Sequence, residues 1–550
     1  MKFESLLTAD YKKRYEKTWH HTTIIDYLKR AIANHPQKWA IIDSKSRYTY
    51  EELGQLVNRV ALGLHHHGIK KDDVVSIYLP NWNEFVILHF AITKLGAITN
   101  PLIPIYRERE IDYMIKKVKS KALIIPDVFR EFNYPKMIEN LLPQWPFMDT
   151  IFVVGTNYPP TMKNFTNLSE IPWEKQYDHS VLDLIVHDAN DITEIIFTSG
   201  TTGSPKGVMH SHNTLSITAN YWMKHLHLTS DDVLLMPSTF AHQTGFCYGV
   251  QLPSHFAGTA VYLDNWNPDD FLSLIEQEQV TITAGATPFV QDTIYAKNLN
   301  QYNISSLKTF IALGAPIPRR LIQQATDNPT IQFKILAGWG QTENGLVTLT
   351  SFEDHEDKLI NSDGYPLYDM ELKIVDAQFN EVPKHTEGSL LCRGPALFIG
   401  YFGEIEKTRS EFYEDWFITG DLAIMDDDGY IRISGRAKDI IIRGGENIPI
   451  SYIENILFEH DGIAAVQLVA IPDKRLQEKA AAIVLMHPNN PPLCLEEMQQ
   501  FLQQKGVAKN YWPEYLEVLD TLPRTASGKI QKYKLRSYLL KKLGKEDAKE

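Results

Sequence analysis

The most informative run of the sequence is FTSGTTGSPKGV, from Phe197 to Val208. It follows an apolar run that ends at Phe197, and it combines glycines and hydroxyl side chains with one basic residue, Lys206. Glycine lets backbone N–H groups approach an anion closely, hydroxyls add donors, and lysine adds positive charge. A Walker A loop needs Gly-Lys-Ser/Thr, whereas here Pro205 precedes Lys206 and Gly207 follows it. The sequence therefore predicts a different kind of phosphate-binding loop, placed at the end of a β-strand.

Outward from this loop, short apolar runs alternate with helical patterns. Between residues 74 and 99 a strand, a helix and a second strand pattern form a βαβ unit, which needs a parallel sheet and a right-handed crossover. After residue 190 the alternation predicts strands at Glu194–Phe197, Val233–Met236, Thr281–Ala284, Thr309–Leu313 and Phe333–Leu336. We therefore predict a doubly wound α/β fold.

The pattern changes between about residues 365 and 434, where strand-like runs alternate with Gly, Pro and Asp turns. We interpret this segment as a small β-barrel-like subdomain within a large N-terminal domain at 1–435. From 436 to 550 mixed α and β patterns return, and this length fits a smaller α+β C-terminal domain.

Composition and charge exclude several classes of protein. The chain has 550 residues, 43% of them hydrophobic, which is enough for several cores. The net charge of −13 argues against a nucleic-acid binder, which needs a basic balance. Cys247, Cys392 and Cys494 lie far apart, so we expect neither a disulfide framework nor a cysteine-rich zinc site. The N-terminal residues form no secretory signal, and the longest apolar stretch, Phe85–Ile98, is too short to span a bilayer. These features predict a cytoplasmic protein without a transmembrane segment.

Further motifs accompany the glycine-rich loop in a fixed order. They are PSTFAHQTGF at 237–246, LGAPIP at 313–318, GWGQTE at 338–343, WFITGD at 416–421, GRAKDIIIRGGENI at 435–448 and PRTASGK at 523–529. With these motifs the chain resembles the adenylate-forming superfamily of acyl-CoA synthetases, peptide-synthetase adenylation domains and luciferases, from about Thr22 to Tyr538. The resemblance implies a reaction in two halves. A carboxylic acid and ATP give acyl-AMP and pyrophosphate, and a thiol, usually that of coenzyme A (CoA), then takes the acyl group and expels AMP.

The resemblance also implies which residues handle the phosphates. Bringing a carboxylate to a polyphosphate requires fixed donors and cations. The implied catalytic residues are Lys529, Glu343, Thr198 and His242. Glu343 would hold Mg²⁺, and Lys529 would reach the α-phosphate and the attacking carboxylate from the C-terminal domain. The phosphate cradle would consist of Thr198, Ser199, Gly200, Thr201, Thr202, Gly203 and Lys206.

The nucleoside contacts follow from motif position. Trp339 stands where the family usually has Tyr, and it should stack on adenine. Gly314, Ala315 and Pro316 would form the other wall of the adenine slot, with Gly340 in the same site. Thr342 would touch the α-phosphate, Asp421 would accept hydrogen bonds from the ribose hydroxyls, and Arg436 would contact ribose or phosphate.

His242 is interpreted as the gate of an acyl tunnel. The acyl pocket is expected to be lined by His242, Gln243, Thr244, Gly245, Gly338 and Gly345. Other runs, such as GATPFV at 285–290, resemble short- and medium-chain fatty acyl-CoA synthetases and cyclohexanecarboxylate-CoA ligases. Gln243 adds a polar group, so a shorter, cyclic or hydroxylated acid also fits.

The second half-reaction needs a moving domain. Lys438 falls at the family's hinge, so we expect the C-terminal domain to rotate, carrying Lys529 away and bringing Gly444 and Gly445 against the pantetheine arm of CoA. A plain hairpin turn is the alternative for these two glycines.

Several alternatives stay open at this point. The thiol could belong to an acyl carrier protein, the fold could serve as a non-catalytic binding protein, and a luciferase-type oxygenase has the same motifs. The basic C-terminal segment could touch lipid, although a helix packed through Leu535, Leu539 and Leu540 is the simpler interpretation. We expect a monomer or homodimer whose small-molecule partners are a carboxylic acid, ATP and CoA.

Overall fold

The computed structural model describes residues 9–178, 180–198, 205–315, 317–437, 441–443, 446–448, 450–473, 475–488, 490–525 and 530–545. Within these residues, two large sheets enclose a layer of buried helices. In one sheet the spatial order of the strands is Tyr365–Pro366, Gly345–Leu349, Lys334–Gln341, Thr309–Ala312, Ile282–Gly285, Val233–Met236, Thr259–Tyr262, Trp39–Ile42 and Arg47–Thr49. In the other it is Gly400–Tyr401, Lys206–Ser211, Ile192–Thr198, Ile98–Pro101, Val74–Ile77, Ala122–Pro126, Thr150–Val154 and Lys163–Asn164.

Helices connect the strands as the sequence pattern predicts. The α-helices are Ala9–Tyr15, Ile24–Asn34, Tyr50–His66, Asn83–Lys94, Glu108–Val118, Tyr134–Leu141, Thr166–Ser169, Ser180–Asp183, His212–His225, Leu252–Phe256, Pro268–Glu278, Thr287–Ile294, Arg319–Asp327, Glu356–Asn361, Ile405–Ser410, Ile450–Phe458, Leu495–Gln504 and Lys532–Lys542. The helix Asn83–Lys94 is apolar on nearly every face because it lies inside the protein. It joins the parallel strands Val74–Ile77 and Ile98–Pro101, which confirms the predicted βαβ unit.

Within the described residues, two five-stranded sheets and one two-stranded sheet, Val128–Phe129 with Phe132–Asn133, complete the fold. The β-rich segment forms the strands Glu371–Val375, Gly388–Arg393, Trp416–Met425, Phe412–Tyr413 and Ile431–Arg436. Farther along the chain, a second small sheet contains Glu446–Ile448, Ile441–Arg443, Gln477–Met486, Ile463–Asp473 and Tyr515–Val518. The helix Lys532–Lys542 buries Leu535, Leu539 and Leu540 against this last sheet, so its apolar side is already covered by protein. None of the helices in the described part of the chain is long and apolar enough to cross a membrane.

The sheet order explains where a ligand can bind. The strands Ile282–Gly285, Thr309–Ala312 and Lys334–Gln341 run parallel, so their carboxyl ends share one edge. In open α/β sheets, that edge is where ligands bind. The motifs at 313–318 and 338–343 both lie there.

Candidate active site

The predicted phosphate loop joins two hydrogen-bonded strands. Ile192–Thr198 and Lys206–Ser211 pair antiparallel, with Thr198 opposite Lys206. The two ends of the loop are therefore held side by side. The loop residues Ser199, Gly200, Thr201, Thr202 and Gly203 lie outside the described residues.

The ammonium group of Lys206 lies in a sheltered position. Its side chain is 14% exposed, and its Nζ lies 3.1 Å from an oxygen of Glu411. The ring of Tyr401 lies beneath it, with 4.7 Å between Nζ and the ring centroid. A positive charge with little access to water acts strongly on a nearby anion, because water screens it weakly.

Glu343 lies in the turn between the strands Lys334–Gln341 and Gly345–Leu349 of the other large sheet, and its carboxylate contacts the same tyrosine. The hydroxyl of Tyr401 donates to Oε1 of Glu343 over 3.0 Å, and the backbone N–H of Phe398 donates to the Glu343 carbonyl over 2.6 Å. Burial raises the pKa of Glu343, and the nearby charges of Lys206 and Arg436 act in the opposite direction. A carboxylate that has lost hydration gains from a bound cation, and Mg²⁺ prefers carboxylate oxygen. The residues present thus fit a magnesium ion at Glu343.

Thr342, the residue before Glu343, is fixed through its backbone. Its carbonyl oxygen lies 2.7 Å from Nε2 of His210, and Nδ1 of the same ring lies 3.0 Å from Oγ1 of Thr214. Burial lowers the pKa of His210 to about 4, so the ring is neutral and Nε2–H donates to Thr342. Asn344 also fixes the turn, because its Oδ1 accepts the N–H of Gln341 over 2.6 Å.

Trp339 and Asp421 form the centre of the expected nucleoside site. Nε1 of Trp339 and Nε2 of Gln341 donate to the same oxygen of Asp421, over 2.8 and 2.9 Å. Nε of Arg436 lies 2.9 Å from the other oxygen, and the Arg436 side chain is 51% exposed. Asp421 is buried, so its carboxylate is held in one orientation while Arg436 remains accessible to a ligand.

Glycines in this motif allow close backbone approach. A Cβ at Gly340 would overlap the carbonyl oxygen of Gly345, and one at Gly338 would lie 2.9 Å from the carbonyl oxygen of Thr348. Gly345 has φ +59°, and a side chain there would meet Thr218. The hairpin that carries Trp339 and Glu343 therefore depends on these glycines.

The adjacent motif reaches the same edge. Thr309–Ala312 pairs with Lys334–Gln341, with Ala312 opposite Ala337, so Leu313, Gly314 and Ala315 leave the strand at the sheet edge where Gly338 and Trp339 follow Ala337. Gly314 has φ +81°, which allows the turn there. Pro316 lies outside the described residues.

Thr244 and Gly245, two of the expected acyl-pocket residues, begin a π-helix that spans Thr244–Gln251. Gly245 is required there, because a Cβ would overlap the Thr239 carbonyl. The π-helix carries Tyr248, whose hydroxyl accepts the N–H of Leu346 over 2.8 Å, next to Gly345. Gln243 is buried, and within the described residues its amide has no hydrogen-bond partner. His242 precedes it, and its Nδ1 lies 3.4 Å from the N–H of Thr244.

Four other predicted residues, Lys438, Gly444, Gly445 and Lys529, lie outside the described residues. Their flanks are described. Arg443 pairs with Glu446 across two antiparallel strands, and Arg524 pairs with Ile530 in an isolated bridge.

The structure also reveals partners that sequence reasoning missed. Tyr401 links Lys206 to Glu343, His210 holds Thr342, and Gln341 supports Asp421. Gln341 lies inside a quoted motif and could have been proposed from it. Tyr401 and His210 had no such signal, because their roles depend on contacts across the fold.

The indole N–H of Trp339 gives a testable prediction. Trp339→Phe keeps a flat ring but removes the donor to Asp421, so we expect ATP to bind about three- to tenfold more weakly, the scale of one ordinary hydrogen bond. Isothermal titration calorimetry would measure the dissociation constant. Trp266→Phe is the matched control, because it removes an indole donor to Asp292 on the surface. Unchanged ATP affinity in Trp339→Phe would show that the indole N–H plays no part.

Comparisons with known proteins agree with this geometry. The AMP-binding enzyme family matches residues 28–402, and the AMP-binding enzyme C-terminal domain matches residues 452–529. The chain is 35% identical to the medium-chain fatty-acid--CoA ligase of Escherichia coli (strain K12), over 98% of this chain and 94% of the relative. It is 32% identical to the putative acyl-CoA synthetase YngI of Bacillus subtilis (strain 168), over 94% of this chain and 97% of the relative.

A solved structure with the same arrangement is ATP-bound MatB from Rhodopseudomonas palustris. It is 25% identical to this chain and has a TM-score of 0.84, with 95% of this chain and 100% of that chain covered. This similarity confirms the predicted α/β architecture, with a large N-terminal and a smaller C-terminal domain. On the family match, the relatives and the fold together, the chain belongs to the AMP-binding enzyme family.

Proposed function

We propose that this chain is an AMP-forming medium-chain acyl-CoA ligase. The observation that carries the proposal is the cluster in which Tyr401 joins Lys206 to Glu343, beside the Trp339–Asp421 pair. Such a cluster would supply a cation, a carboxylate that could hold a metal ion and a pair of side chains that could bind a nucleoside, all from elements of three different sheets. The E. coli relative named as a medium-chain fatty-acid--CoA ligase supports the acid class, and it favours CoA over a carrier protein as the acceptor.

In the first half-reaction, an oxygen of the acid attacks the α-phosphorus of ATP. The bond from that phosphorus to the bridging oxygen of the β-phosphate breaks, and pyrophosphate leaves with the electron pair. Thr198, the loop residues 199–203 and Lys206 would hold the β- and γ-phosphates, and Thr342 and Lys529 would face the α-phosphate. Mg²⁺ held by Glu343 would neutralise phosphate oxygens.

The nucleoside would be held by residues of the motifs at 313–318, 338–343 and 416–421, together with Arg436. Trp339 would stack on adenine, with Gly314, Ala315 and Pro316 opposite. The ribose hydroxyls would donate to Asp421, and Arg436 would add a contact to ribose or phosphate. Arg436 now lies against Asp421, so we infer that the ribose shares this carboxylate with the arginine.

The acid would enter past His242 toward the π-helix. Tyr248 stacks on Trp222 near Gly345, with 4.0 Å between the ring centroids, and both side chains are buried, so an alkyl chain that reached them would meet apolar rings. The free amide of Gln243 is the reason to test hydroxylated and cyclic acids beside plain fatty acids.

The second half-reaction transfers the acyl group to sulfur. The thiolate of CoA attacks the acyl carbonyl carbon, the carbon–oxygen bond to phosphate breaks, and AMP leaves. We infer that residues 436–550 rotate about Lys438 between the two halves, and that Gly444 and Gly445 border the pantetheine arm.

Pyrophosphate release across a panel of acids tests this function. The panel runs from acetate through C4–C12 fatty acids to cyclohexanecarboxylate, benzoate, 3-hydroxy acids and amino acids, each with and without CoA. We expect the highest turnover with C6–C10 acids, rising sharply when CoA is present. Adenylation that is indifferent to CoA would point to a carrier-protein thiol, and no release with any acid would contradict the ligase assignment.

A further inference from the structure

Lys206 is paired with a carboxylate from a distant part of the chain. Its ammonium lies 3.1 Å from Oε1 of Glu411, and the two side chains are 14% and 22% exposed. Ion pairs on an open surface contribute little, whereas a sheltered pair is screened less by water. The contact is therefore a substantial local interaction at the end of the phosphate loop.

The position of Glu411 does not depend on Lys206. Glu411 follows the helix Ile405–Ser410, its N–H donates to the carbonyl of Thr408 over 3.2 Å, and its carbonyl accepts the N–H of Ile418 over 2.8 Å. Lys407, one helical turn earlier, lies 2.7 Å from the same carboxylate oxygen. Burial alone would raise the pKa of Glu411, but the two lysines lower it, so the group is ionised at neutral pH.

Glu411 and the terminal phosphates of ATP would then both bind the same cation, Lys206. Lys206 is sheltered, with Glu411 on one side and the ring of Tyr401 on another. We propose that Glu411 competes with the terminal phosphates of ATP for Lys206. The phosphates must displace Glu411 when ATP binds, and Glu411 pairs with Lys206 again when pyrophosphate leaves. The proposal rests on the phosphate-binding role of Lys206 given above. Glu411 keeps Lys407 as a partner when Lys206 is withdrawn, so displacement does not strand a buried charge.

This arrangement predicts a selective effect on ligands. ATP and pyrophosphate carry the phosphates that meet Lys206, whereas AMP lacks them. Glu411 therefore weakens the binding of ATP and pyrophosphate and leaves that of AMP unchanged. It also favours departure of pyrophosphate after acyl-AMP forms, because the ion pair re-forms as the phosphates leave.

Glu411→Gln tests the proposal, since glutamine keeps the shape and removes the charge. We expect the dissociation constants of MgATP and magnesium pyrophosphate to fall about three- to tenfold, and that of AMP to stay within about twofold, as for removal of one partly screened charge. Calorimetric titration of the full chain with each ligand gives these values. Glu406→Gln is the matched control: it removes a carboxylate from the helix that precedes Glu411, where Glu406 is 82% exposed and pairs with Arg409.

Other outcomes would overturn the proposal in distinguishable ways. Equal tightening of AMP would indicate a general charge effect, and weaker ATP binding would indicate that Glu411 orients Lys206 for phosphate. Lys206→Ala separates these failures from failure of the proposed function. If Lys206→Ala leaves ATP affinity unchanged, Lys206 does not bind the phosphates, and the proposed competition by Glu411 is then wrong as well. If Lys206→Ala weakens ATP binding and Glu411→Gln does not strengthen it, only the competition is wrong. Thermal unfolding of each variant shows whether the fold is retained.

Discussion

Glu343→Gln is expected to slow acyl-AMP formation about 10²–10³-fold, the scale of removing one fixed electrostatic group from a reacting phosphate. Glutamine keeps an oxygen that can accept from Tyr401, so the local hydrogen bond survives. It removes the negative charge that would hold Mg²⁺. Acid-dependent pyrophosphate release, measured over a range of Mg²⁺ concentrations, gives the rate and the apparent metal affinity.

The control for this variant is Glu353→Gln, which removes a carboxylate from the exposed segment that follows the same hairpin. It should leave the rate unchanged. A wild-type rate in Glu343→Gln at every Mg²⁺ concentration would contradict the metal assignment.

The same carboxylate predicts a pH dependence. Only ionised Glu343 can hold the metal, and burial raises its pKa above that of an exposed glutamate. Adenylation should therefore fall as the pH is lowered through that raised pKa, sooner than an ordinary glutamate would allow. This acidic limb should be absent in Glu343→Gln, because the amide does not titrate.

Much of the fold could be predicted from local sequence pattern. The strand Val233–Met236 has the bounds that its apolar run indicates. The strand predicted at Phe333–Leu336 instead spans Lys334–Gln341 and continues through the glycine-rich motif. Glycine lowers strand propensity, so local pattern ends the strand too early, whereas pairing with Gly345–Leu349 supplies the missing hydrogen bonds. The π-helix Thr244–Gln251 was not predicted, because it depends on packing against Thr239 and Leu346 rather than on helical periodicity.

The candidate site divides in the same way. The motifs predict that Lys206, Glu343, Trp339 and Asp421 lie near one another, and in the structure they do. The contacts between them were beyond the sequence, because Tyr401 and Glu411 lie more than 50 residues from the groups they touch. The motif predicts that Trp339 stacks on adenine, whereas its hydrogen bond to Asp421 is visible only in the structure. The roles themselves stay predictions until variants are measured.

Lys529→Ala is the second variant with a large expected effect. By family resemblance, its ammonium would neutralise charge that builds between the acid oxygen and the α-phosphorus, so we expect Lys529→Ala to slow adenylation about 10²–10³-fold. Lys529 lies outside the described residues, but described residues on the two sides of this segment pair with each other. Arg524 pairs with Ile530, and the N–H of Gln531 donates to the carbonyl of Pro523 over 2.8 Å. The backbone that carries the segment 525–529 is therefore closed at its base, so the substitution removes a charge without removing that closure.

The two half-reactions separate a catalytic from a structural role for Lys529. A domain that rotates between steps would use this lysine only in the first, so CoA transfer from supplied acyl-AMP should stay near the wild-type rate. Lys542→Ala is the matched control, because Lys542 lies in the same C-terminal segment and pairs with Glu517 on the surface. It should leave both steps unchanged. If Lys529→Ala slowed both steps equally, it would act through the stability or docking of the C-terminal domain, and normal adenylation would remove Lys529 from the reaction altogether. Only loss of the first step with retention of the second assigns the charge to the attack on ATP.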